Sequence, residues 1–187
     1  FKEKGYEEKN EGRNKVRETT LKLAVCVASV DGAIQDEEGM IIKKWATNVI
    51  SILGENKQKE LKERYNSILK NAFQSAEKNE LILSDLIIEM NNGATTQDKY
   101  EAIELCFDVM AADGIADAKE LAIIKNVAEQ LELDYEEVKG IRDRKLVGLE
   151  LDSGSECNLE DMLGIDSDWP KSKICDYLLE EFRKWNS

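Results

Sequence analysis

Val27-Ala-Ser-Val-Asp-Gly-Ala-Ile-Gln-Asp-Glu-Glu38 and Val109-Met-Ala-Ala-Asp-Gly-Ile-Ala-Asp-Ala-Lys-Glu120 are two versions of one pattern, and their pairing decides how the chain folds. Each begins in an apolar stretch, breaks at Asp-Gly, and resumes with a Glu at the head of an amphipathic stretch. A break of this kind marks the end of one helix and the start of the next. Placing Asp31 on Asp113, 82 residues apart, also aligns Leu23 with Leu105, Ile41 with Ile123, Ile42 with Ile124 and Lys43 with Lys125. That period exceeds the roughly 20 to 50 residues of a solenoid repeat. The pattern therefore predicts two helical hairpins within one domain.

Outward from these segments the apolar spacing stays helical. Leu21, Leu23, Ala24, Val27, Ala28 and Val30 predict a broadly buried helix ending at Asp31-Gly32. A second helix is expected from about Asp36 to Leu53, with Ile41, Trp45, Val49 and Ile52 on one face and Gly54 as its stop. Further helices are expected over 57–76 and 80–91, then from an N-cap at Thr96 to Ala112, and over 134–145. The composition agrees: 35% charged residues and a single Pro favour helices over strands. The expected fold is all-α, a compact helical bundle with an internally duplicated hairpin.

The flanks read differently. Residues 1–15 are charged, carry two glycines and show no apolar period, which predicts a linker or frayed lead-in before a domain at 16–148. A linker rich in turn-forming residues is expected at 149–158, followed by a short helical segment at 159–187. There Pro170 suits a helix start, and Ile174, Leu178, Phe182 and Trp185 recur at spacings of four and three. Trp169 and Trp185 are expected to dock that segment on the bundle or on a partner.

Charge and residue types exclude several functions. A net charge of −13 opposes nucleic-acid binding, which needs clustered cations to release counterions, and it disfavours anionic membranes for the same reason. No apolar run reaches the roughly 20 residues a membrane helix requires. The chain contains no His, which removes Ser-His-Asp, Cys-His and His-zinc chemistry. Cys26, Cys106, Cys157 and Cys175 have no CxxC spacing, so free thiols in a reducing cytoplasm are expected. Because the chain begins at Phe1 rather than Met, it is expected to be a piece of a longer protein, which leaves room for the cytoplasmic face of a membrane.

Asp31 with Glu38, and Asp113 with Glu120, offer carboxylates from a tight turn and the helix after it, the donor type that Ca²⁺ or Mg²⁺ requires. The spacing copies the second half of an EF-hand loop. Yet Val27 and Ser29, and Val109 and Ala111, stand where that loop needs ligands, and Ala116 stands where it needs a larger aliphatic, so an EF-hand is rejected. Capping competes with metal binding at the same residues. Asp117-Ala-Lys-Glu120 has the form of a capping box, with Gln35-Asp-Glu-Glu38 a poorer version.

Taken together, these two segments and the aliphatic helix running to Leu133 resemble the hallmark of the TerB-like tellurite-resistance family, over about residues 16–145. The resemblance implies a helical bundle from bacterial stress-response proteins, whose acidic clusters are proposed to bind divalent metal and engage other proteins. It marks Asp31, Glu38, Asp113 and Glu120 as the metal-binding set, with Glu37 and Asp117 second. The departures are Gln35, where the family often has Ser or Thr, and Ala116. The tail from Met162 to Trp185 is similar to the opening helices of a J-domain but lacks the His-Pro-Asp signature. The expected function is a non-catalytic interaction or scaffold module of a stress-response or defence protein. The alternatives are a carboxylate-based metal-dependent hydrolase, or a structural domain of a membrane-linked assembly.

Overall fold

Leu21, Leu23, Ala24, Val25, Val27 and Ala28 are all fully buried, so the helix that carries them is covered on nearly every side, as its unbroken apolar sequence requires. This is α1 (Lys2–Ala28) in a computed structural model of the chain. The structure describes every residue except 1, 31, 33, 117, 147–149, 152–164, 166–168 and 186–187. There follow α2 (Asp36–Ser51), α3 (Glu55–Glu77), α4 (Leu83–Gly93), α5 (Thr96–Met110), α6 (Ala118–Gln130), α7 (Tyr135–Leu146) and α8 (Lys171–Trp185). One two-residue parallel pairing, β1 (Ile115–Ala116) with β2 (Glu150–Leu151), joins the second Asp-Gly turn to the segment after α7. Among the described residues the fold is otherwise all-helical.

Two compact units result, Phe1–Leu151 and Asp152–Ser187. In the first, α1 and α5 pack on each other, α1 also carries α3 and α4, and α5 also carries α2, α6 and α7. The core lies on both sides of this central pair. One side joins Leu23, Val27, Ile103 and Phe107 to α4, α6 and α7, and the other joins Leu21, Val25, Leu105 and Val109 to α2 and α3. Each buried side chain of Leu or Ile size contributes about 1.5–3 kcal/mol relative to exposure. The smaller unit contains α8. Its first turn closes on the Pro170 carbonyl, which accepts from the Lys173 and Ile174 amides. Trp169 meets the edge of Tyr177 at 5.4 Å, with Lys173 Nζ 3.9 Å from the Trp169 ring centroid.

The duplication survives in three dimensions, position by position. The α1 positions Leu21, Leu23, Ala24, Val25, Val27 and Ala28 correspond to Ile103, Leu105, Cys106, Phe107, Val109 and Met110 of α5, and all twelve are buried. In the helices that follow, Glu38, Ile42 and Ala46 correspond to Glu120, Ile124 and Ala128, which are buried as well.

Some helix ends differ from the sequence reading. α1 begins at Lys2, within the stretch read as a lead-in. Lys and Glu propagate an established helix cheaply, and Arg64 of α3 donates to both Glu11 carboxylate oxygens (3.2 and 2.8 Å) while also pairing with Glu18. The N-cap of α5 is Thr95 rather than Thr96. Its hydroxyl accepts from the Asp98 amide at 3.2 Å, and Asp98 accepts from the Thr95 amide at 2.9 Å, because only this register puts a carboxylate three residues after the cap. Gly54 is not a left-handed helix stop: at φ −67° it is the N-cap of α3.

Candidate functional site

The two Asp-Gly turns are built from the same hydrogen bonds. In the first, the Ser29, Val30 and Gly32 amides donate to the carbonyls of Val25, Val27 and Ser29; in the second, those of Ala111, Ala112 and Gly114 donate to Phe107, Val109 and Ala111. These three backbone bonds of one turn have their counterparts in the other. Both glycines have positive φ, +119° at Gly32 and +84° at Gly114, and an added Cβ would meet nothing within 4 Å at either. Glycine is therefore required here by backbone conformation, not by crowding.

The candidate metal ligands separate by depth. Glu38 is 6% exposed and Glu120 5%, while Asp113 is exposed on its turn. Glu38 Oε2 accepts from the Gln35 amide at 2.6 Å, so this carboxylate closes the start of α2, where the positive end of the helix dipole also favours it. Glu37 is exposed beside it. Glu120 opens α6 and is buried deeply enough that its charge reaches Cys106 of α5. Asp31, and Asp117, which the sequence reads as a helix cap, lie outside the described residues.

A hard cation takes six or more oxygens, and among the described residues no three acidic or Cys side chains converge as a metal-holding group. Asp113, Glu38 and Glu120 therefore do not form such a group by themselves. The thiols differ in depth, Cys106 buried, Cys26 half-buried and Cys175 exposed. Cys26, Cys106 and Cys175 are free, and Cys157 lies outside the described residues. Cys106 is wholly buried, and desolvation first, then the Cys26 thiol and the Glu120 carboxylate, raise it far above the ordinary thiol range.

The second acidic locus was not visible in the sequence. Lys22 of α1, Ile68, Asn71, Ala72 and Ser75 of α3, and Glu80, Leu81, Ile82, Asp85, Leu86 and Glu89 on and before α4 bound a groove of about 450 Å³. Its carboxylates, Glu80, Asp85 and Glu89, occupy positions that read as ordinary solvated helix ends. All three lie on α4 and its approach, within ten residues of one another; the packing of α1 and α3 against α4 adds the apolar floor beside them.

Among the described residues no helix is long and apolar enough to cross a membrane. No curated protein and no solved structure matches the chain. The family model of tellurite resistance protein TerB matches residues 17–143, a span that begins in α1, contains both Asp-Gly turns and stops within α7. With more than half of its length matched, and with the duplicated all-helical hairpin found where that match lies, the chain belongs to the TerB family.

Proposed function

We propose that this chain is a non-catalytic interaction module of a bacterial stress-response or defence protein, and that its two Asp-Gly/Glu turns respond to a divalent cation, Ca²⁺ or Mg²⁺. The observation that carries this reading is the bond-for-bond identity of the two turns, with the Asp113 side chain exposed on one of them. The left-handed Gly is what either turn needs to reverse the chain; the recurrence of an Asp before it in both copies is what supports a ligand role. Asp31 and Asp113 are the primary ligands in this account. Glu38 and Glu120 serve the cation from beneath, by holding the helix starts and adding negative potential.

The interaction part rests on the acidic surface and the family. Partners are other proteins, including a membrane-linked complex, met at the cytoplasmic face. Lack of His removes the most common general base, and no paired-carboxylate cluster among the described residues favours a hydrolase.

Thermal unfolding in CaCl₂ or MgCl₂, against NaCl at equal ionic strength, tests the metal part. The midpoint of the wild type is expected to rise by several degrees in millimolar divalent ion, corresponding to about 1–3 kcal/mol of linked binding. Asp31→Ala/Asp113→Ala should abolish that rise and keep the fold. An equal rise in the variant, or no rise in either protein, would leave these residues as turn and cap elements only. Affinity capture from bacterial extract tests the interaction part: wild type retaining nothing beyond an acidic helical control protein would overturn it.

A further inference from the structure

We propose that the groove between α1, α3 and α4 is a docking site for a basic, amphipathic segment of a partner protein, which seats one or two aliphatic side chains on its floor and lays its Lys or Arg residues along its rim. This rests on the reading of the chain as an interaction module and names one surface of it, separate from the Asp-Gly turns.

The argument begins with the floor. Ile68, Ala72, Leu81 and Leu86 line the groove, and Ile82, 55% exposed, stands beside them as a large apolar side chain left in water. Ile68, Ala72, Leu81 and Leu86 pack into the helical core, so the floor is already dehydrated on its inner side, while Ile82 stands outside that core. A volume of about 450 Å³ accepts aliphatic side chains of a peptide without rearrangement of the bundle. Apolar contact of this kind supplies affinity but selects no partner.

Selection comes from the rim. Glu80, Asp85 and Glu89 carry three negative charges against the single positive charge of Lys22. Glu89 is held in place by the Thr19 hydroxyl, which donates to its Oε2 at 3.0 Å, and Thr19 also donates to the Lys15 carbonyl within α1. Glu80 and Asp85 are exposed and flank Ile82 in sequence. An apolar anchor bordered by fixed and mobile carboxylates is complementary to a helix with aliphatic residues on one face and cations beside them. An acidic segment would meet repulsion from three sides, and a purely apolar one would leave the rim carboxylates partly desolvated without partners.

The probe is a synthetic amphipathic 14-residue peptide of Lys and Leu, with a Glu/Leu peptide of the same pattern and spermidine as comparisons. Binding is followed by calorimetry at 50 and 500 mM NaCl, and the site is located by amide chemical-shift changes in the intact chain. The Lys/Leu peptide is expected to shift amides around Ile68, Ala72, Leu81 and Leu86, to weaken at high salt, and to bind at least tenfold more tightly than spermidine. Glu80→Lys/Asp85→Lys should weaken it at least tenfold, and Ile82→Ser several-fold. The control Glu129→Lys/Glu136→Lys, which changes net charge equally at exposed positions of α6 and α7, should leave affinity within twofold.

Equal weakening by the groove and control reversals would overturn the proposal, as would shifts spread over the whole acidic surface, or spermidine matching the peptide. All three variants change exposed side chains, and matching melting midpoints show that each has folded. If the peptide fails to map to the groove while the wild type still captures partners from extract, this surface is wrong and the module reading stands. If both fail, both fall.

Discussion

Cys106 occupies the middle of α5 with no exposure, and its environment links core packing to pH. Burial, the Cys26 thiol and the Glu120 carboxylate all favour the protonated form, so the folded thiol titrates well above the roughly 8.5 of a free thiol in the unfolded chain. Above that pH the unfolded state loses a proton that the folded state keeps. Stability is therefore complete below about pH 8.5 and declines as pH rises beyond it, by about 1.4 kcal/mol per pH unit for one such group. Cys26 is raised by its own burial and adds to the decline with the same sign. Urea unfolding of wild type and Cys106→Ala between pH 8 and 9.5 should show the shallower pH dependence in the variant; parallel curves would mean that the thiol ionises as readily in the fold as outside it. The sequence already indicated a small apolar role for Cys106, because it lies in a helical apolar row. That Glu120, fourteen residues further on, bears on it electrostatically depends on how α6 folds back over α5.

At the scale of the helix, apolar spacing located the elements well and their ends less well. In α3 Leu61, Tyr65, Leu69 and Ala72 are buried on one face, at spacings of four and three. In α2 the buried row is Ile42, Ala46 and Ile50, one residue round from the expected Ile41, Trp45, Val49 and Ile52, of which Ile52 is 83% exposed. Ends depend instead on single backbone conformations that many residues can adopt. α3 and α6 both finish in left-handed residues that are not glycine, Asn79 at φ 56° and Glu132 at φ 57°. In each case the next two amides close on the helix: Asn79 and Glu80 donate to Ala76 and Ser75, and Glu132 and Leu133 donate to Glu129 and Ala128. This is the six-to-one closure that normally recruits Gly. Nothing in a glutamate signals it, whereas Gly54, which does look like a stop, begins the next helix. Glu132→Gly should relieve the left-handed strain and raise stability by about 0.5–1 kcal/mol, measured by denaturant unfolding. A loss of stability would show that Glu132 contributes contacts worth more than its backbone costs.

For the molecule as a whole, the repeat was legible because it is written in side chains that the core and the turns constrain. Aligning Asp31 with Asp113 was sufficient to pair Leu23 with Leu105 and Ile42 with Ile124, and all four are buried. The candidate site was legible only in part. Glu38 and Glu120 share the spacing of ligands and of caps, and their depth in the structure, with Glu38 bonded to the Gln35 amide, favours the cap. The groove was invisible, since residues 22, 68–75 and 80–89 meet only when α1, α3 and α4 pack. The two turns are proposed to be one device in two copies, sensing a divalent cation. Gly32 and Gly114 donate equivalent hydrogen bonds in the two turns, and glycine amides are well separated in a proton–nitrogen spectrum. In a CaCl₂ titration corrected with NaCl at equal ionic strength, both amides should shift with saturation, and Asp113→Ala should silence Gly114. Two amides that move no more than in NaCl would contradict the account.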